Sequence, residues 1–131
     1  MTLNSRTFFT DTLIKAYHYI VHADGRIDDK EVELGQKMIV EEKIPPDVFS
    51  QKMAVLDNEK PEELIKTLKV DLKKLSQKDQ IKIIAYMSNI ANADGFMDPT
   101  EWRMIYQLYK DELNLNLDDI LTQQKKIPPF V

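Results

Sequence analysis

The chain has 131 residues, 43% of them apolar and 31% charged, and its 22 acidic against 18 basic side chains leave a net charge of -4. That length suits one compact domain, residues 1–131, with a single core, and the mild acidity offers no overall field for nucleic acid. No cysteine is present, which excludes disulfides, thiolate zinc sites, iron–sulfur clusters and cysteine nucleophiles, and leaves oxygen atoms as the richest metal donors.

The opening stretch "MTLNSRTFFT" has neither the apolar run nor the small-residue cleavage site of a secretory signal, and no later segment approaches the roughly 18 apolar residues of a membrane span. A cytoplasmic protein that does not itself span a membrane is expected. Leu13, Ile14, Tyr17, Ile20 and Val21 form the stripe of an amphipathic helix over about Thr7 to Ala23. A second helix is expected from Asp29 to about Glu42, with Val32, Leu34, Met38 and Ile39 as its less regular apolar positions, and "KIPPD" stops it because Ile44 precedes a proline. Pro46 opens a short third helix carrying Val48, Phe49, Met53 and Leu56.

Pro61 starts the fourth helix, with two glutamates in the first turn and Ile65, Leu68, Leu72 and Leu75 on one face. Ser76 caps the fifth, whose Ile84, Met87, Ile90 and Ala91 repeat the pattern of the first. The sixth begins at Pro99 and carries Trp102, Ile105, Tyr106, Tyr109 and Leu113 in one register, and a short seventh runs from Leu117 to about Lys125 before the apolar tail "KIPPFV". No stretch alternates with period two, so the expected fold is all-α, a bundle of about seven helices.

A displacement of seventy residues lays Leu13 on Ile83, Ile14 on Ile84, Tyr17 on Met87, Ile20 on Ile90, Glu31 on Glu101 and Met38 on Leu108. The repeat units, about 7–42 and 77–113, are helix–loop–helix hairpins, and two such hairpins bury their stripes by packing about an approximate two-fold axis. The same displacement superposes "HADGRIDDKE" on "NADGFMDPTE", with Asp24, Asp28 and Glu31 falling on Asp94, Asp98 and Glu101. Their spacing matches the second half of an EF-hand loop. The first-ligand position, however, is Ile20 in one copy and Ile90 in the other, so neither loop completes an ordinary calcium shell alone.

Capping accounts for much of the pattern. Asp28 with Glu31, and Asp98 with Glu101, are capping boxes, Pro99 suits a first helical position, and Gly25 and Gly95 suit left-handed helix stops. Only Asp24 and Asp94 have no structural duty of this kind. If the hairpins pair, all six carboxylates share one end of the bundle, and such a cluster favours a hard divalent cation, calcium or magnesium.

The duplicated "ADG…D..E" loops on paired helices, in an all-helical chain of this length, resemble the TerB-like domains named for tellurite-resistance proteins and also found in membrane-anchored DjlA co-chaperones. The resemblance implies an acidic metal centre at Asp24, Asp28, Glu31, Asp94, Asp98 and Glu101, and a role in bacterial stress response beside protein partners, membrane-associated ones among them. Arg26 departs from an all-acidic first loop and weakens a cation site there.

Other groups are weighed against this. His18 and His22 stand four apart, the spacing that seats two imidazoles on one zinc ion, but "HYIVH" lacks a metalloprotease glutamate and the repeat has Ser88 and Asn92 there, so a metal-free surface pair is the default expectation. Lys66, Lys69, Lys73, Lys74, Lys78 and Lys82 form a solvated face, or one that docks on anionic lipid or an acidic partner; without interleaved aromatics it does not suit nucleic acid. Tyr86, Trp102, Tyr106 and Tyr109 are expected at the core and its edge, and the "IPPFV" tail is expected to pack. No nucleophile elbow or phosphate-cradling loop occurs, so no enzyme and no organic cofactor are expected. The expected function is a cation- or protein-binding module. The alternative is a structural adaptor whose acidic loops only cap helices and whose binding surface is the lysine helix or the tail.

Overall fold

Proline and short polar caps divide the chain into helices. In the computed structural model, which describes residues 5–22, 29–93 and 99–127, these are α1 (Ser5–Val21), α2 (Asp29–Glu41), α3 (Pro46–Leu56), α4 (Pro61–Lys73), α5 (Gln77–Ala91), α6 (Pro99–Tyr106) and α7 (Leu117–Lys126), with a π-helical turn, Gln107–Glu112, following α6. No strand occurs among the described residues. Prolines open α3, α4 and α6, where a missing N–H costs nothing. The Ser76 hydroxyl accepts from the Asp79 N–H at the start of α5, and the Asn116 side-chain oxygen Oδ1 from the Asp118 N–H at the start of α7.

Two helix ends differ from expectation. The stop of α2 is built before the prolines: Lys43 adopts φ 58°, the Ile44 N–H reaches the Ile39 carbonyl at 2.8 Å and the Lys43 N–H reaches Val40 at 3.1 Å. That is the Schellman pattern, with lysine in the left-handed place glycine usually takes. The sixth helix does not run on to Leu113 in one register. The Leu113 N–H bonds to the Leu108 carbonyl five residues back, and Asn114 then turns left-handed at φ 51°, so the widened turn resets which side chains face inward.

One hydrophobic core joins all seven helices. The displaced pairs Leu13 and Ile83, Ile14 and Ile84, Tyr17 and Met87, Ile20 and Ile90, and Met38 and Leu108 are all buried in it. Val32 and Val48 are exposed, and Leu64 is buried beside Ile65, which packs partly buried against the core. Trp102 and Tyr106 are also exposed, while Tyr86 and Tyr109 are buried. In the tail Ile127 is buried, and residues 128–131 lie outside the described residues.

A buried carboxylate fixes how the central helices are arranged. Glu42, 4% exposed, accepts a 2.6 Å hydrogen bond from the Tyr86 hydroxyl of α5 and pairs with Lys82 of α5 at 3.0 Å and with Arg6 of α1 at 3.3 Å. The Arg6 guanidinium also donates to the Glu42 carbonyl. Arg6 and Lys82 both lie over the Phe9 ring. The end of α2, the start of α1 and the first half of α5 therefore meet at one corner. α1 and α5, packed on one another, both leave that corner toward their C-terminal ends, Val21 and Ala91.

Candidate functional site

Of the six expected site residues, Asp24, Asp28, Asp94 and Asp98 lie outside the described residues. Glu31 and Glu101 are described, each in the first turn of its helix, α2 and α6. Both are buried, at 6% and 4% exposure, whereas a glutamate whose only duty is a capping box ordinarily stays in water. An ionised carboxylate is costly to bury unless it is compensated.

A tyrosine seats the first of these turns. The Tyr17 hydroxyl donates to the Glu31 carbonyl at 3.2 Å, and its ring lies against Phe49, with centroids 5.6 Å apart. Burial first, and the Glu31 charge second, push the Tyr17 phenol up to about 12. Gly35, one turn beyond Glu31, makes room for the ring, because a Cβ there would stand within 2.6 Å of Tyr17 Cε1. The corresponding turn of α6 has a different surround: Trp102 is exposed beside Glu101, and its ring leans toward Tyr106 and Tyr109 at 6.1 and 6.5 Å.

The histidine pair has a third member that the sequence left unconnected. His18 is not a surface residue but is 6% exposed. Its Nε2 is 2.7 Å from Oδ1 of Asp57, the residue just past α3, and the same oxygen is 3.9 Å from His22 Nε2. The imidazole centroids are 4.1 Å apart. Burial and, after it, the neighbouring His18 lower the His22 pKa, against a smaller opposing pull from Asp57. The three ligand-type atoms lie within 4.8 Å of one another, which makes this the group of metal-type donors that assembles among the described residues. The tertiary approach of α3 to α1 creates it, so no local spacing in the sequence announces Asp57.

Part of the lysine face is neutralised. Lys69 and Lys73 pair with Glu112 at 3.6 and 3.1 Å, Lys66 pairs with Glu63, and Lys82 belongs to the Glu42 corner. The bond from Lys73, with Lys69 assisting, lowers the Glu112 pKa. No helix among the described residues is long and apolar enough to cross a membrane.

No curated protein and no solved structure is significantly similar to the chain. The family model described as tellurite resistance protein TerB, by contrast, matches residues 12–123, from the middle of α1 into α7. An all-helical fold around one core, with the two acidic loop strings inside the matched span, agrees with that match, and the chain belongs to the tellurite resistance protein TerB family.

Proposed function

We propose that this TerB family member is a non-enzymatic cytoplasmic stress-response module whose two acidic loops together hold a divalent cation, calcium or magnesium, and present the loaded surface to a protein partner, membrane-associated ones included. The observation that carries this is the burial of both Glu31 and Glu101 at matching helix starts. It is supported by the course of α1 and α5, which leave the Glu42 corner together toward the ends from which the loops depart. Six carboxylates at one end of a bundle repel, and a hard cation relieves that repulsion.

The structural adaptor is favoured less. Its basic surface has Lys66, Lys69, Lys73 and Lys82 already paired with carboxylates, which reduces the charge available to an anionic partner. A thermal melt of the full chain with and without calcium separates the two. Cation binding at about 100 times Kd adds about 2.7 kcal/mol, on the order of 10 °C for a domain of this size. Asp24→Asn combined with Asp94→Asn should abolish the shift. A melting temperature indifferent to calcium and to magnesium, in the wild type as in the double variant, leaves the carboxylates as helix caps.

A further inference from the structure

We propose that His18, His22 and Asp57 form a second, separate metal site, a three-ligand position for a zinc-class divalent ion with its remaining coordination open to the cleft beside α4. The donor set is two imidazole nitrogens and one carboxylate oxygen, which suits zinc, cobalt or nickel and not the hard ions that all-oxygen loops select. His18, in the last turn of α1, and His22, just past its end, stand four residues apart with their rings 4.1 Å apart and tilted by 56°, while Asp57 arrives from just past the end of α3. In a tetrahedral zinc centre with bonds of about 2.0–2.1 Å, neighbouring ligand atoms are about 3.3 Å apart. The present separations of 2.7 and 3.9 Å from Asp57 Oδ1 bracket that value, and Asp57, whose side chain is 61% exposed, has the freedom to take up the difference.

Two further features favour a cation here. His18 Nε2 faces Asp57, while its buried Nδ1 has no hydrogen-bond partner among the described residues. The cleft of about 610 Å³ that opens from the cluster is lined by Asp57, Glu59 and Glu62 and by no lysine or arginine, so its field is attractive to a cation. An ion there would tie the end of α1 to the joint between α3 and α4.

The test is zinc titration of the untagged full-length chain by calorimetry, with cobalt absorption as a report on imidazole ligation and low coordination number. One saturable zinc site per chain is expected, with affinity reduced more than about 100-fold in both His22→Ala and Asp57→Asn. Both substitutions are at exposed side chains, and circular dichroism checks that each variant folds. Asp24→Asn with Asp94→Asn should leave zinc binding unchanged, and His22→Ala should leave any calcium response unchanged, so failure of either site is distinguishable from failure of the other. No saturable zinc binding, or binding that survives both His22→Ala and Asp57→Asn, overturns the proposal.

Discussion

Removing the Glu42 carboxylate is the sharpest test of how this bundle is pinned. Glu42 is 4% exposed and Tyr86, its hydroxyl partner at 2.6 Å, is 1% exposed, so Glu42→Ala removes the partner of a buried phenol. A hydrogen bond to a charged group is worth about 1.5–3 kcal/mol. The Lys82 and Arg6 side chains are 32% and 51% exposed and regain hydration when freed, so each ion pair adds only about 0–1 kcal/mol. The lost side-chain packing brings the expected cost of Glu42→Ala to about 3–5 kcal/mol, a large share of the stability of a domain this size. Glu42→Gln, which retains an acceptor for Tyr86, should cost about 1–2 kcal/mol, and Tyr86→Phe about 1.5–3 kcal/mol. Urea unfolding followed by far-ultraviolet circular dichroism gives these differences at an unchanged slope. If Glu42→Ala costs less than about 1 kcal/mol, the corner does not hold α1, α2 and α5 together.

Three further outcomes follow from the same contacts. Gly35→Ala should destabilise by about 1–3 kcal/mol despite alanine's better helix propensity, because the new methyl displaces the Tyr17 ring; chemical denaturation measures this, and a stabilised variant would refute the packing. The Tyr17 phenol, held near 12 when folded against about 10 when unfolded, contributes about 2 kcal/mol that is fully present below pH 10 and is lost as pH rises through 12; Tyr17→Phe should flatten that alkaline loss in a stability profile against pH. Lys43→Gly removes a side chain from a left-handed backbone and should stabilise by up to about 1 kcal/mol, whereas a loss of stability would mean that Lys43 makes a contact outweighing its strain.

Helix identity was legible in the sequence because proline, serine and the apolar stripes acted locally and agreed with one another. The inward faces of α1 and α5 follow the 3.6-residue period, as Leu13, Ile14, Tyr17, Ile20, Ile84, Met87 and Ile90 show. Shorter helices were less readable. α3 and α4 each have apolar residues on more than one flank, and how fully each is covered depends on the neighbour, so Val48 is left exposed and Leu64 is buried more fully than Ile65. Helical spacing likewise put Trp102 and Tyr106 with Tyr109 at the core and its edge, whereas α6 leaves the first two exposed and only Tyr109, in the π turn that follows, is buried. Glu31 and Glu101 stood out through their repeated spacing, but their burial did not. The Glu42 corner and Asp57 beside the histidines each draw on segments far apart in the chain, and no local pattern encodes such meetings.

Trp102 adjoins Glu101 and is the only tryptophan of the chain, which makes terbium the most direct probe of the acidic loops. Selective tryptophan excitation during a terbium titration should produce sensitised emission that saturates, falls on addition of calcium, and disappears in Asp24→Asn combined with Asp94→Asn. Emission that never rises above that of free terbium, or that persists unchanged in the double variant, would contradict a cation held by these loops.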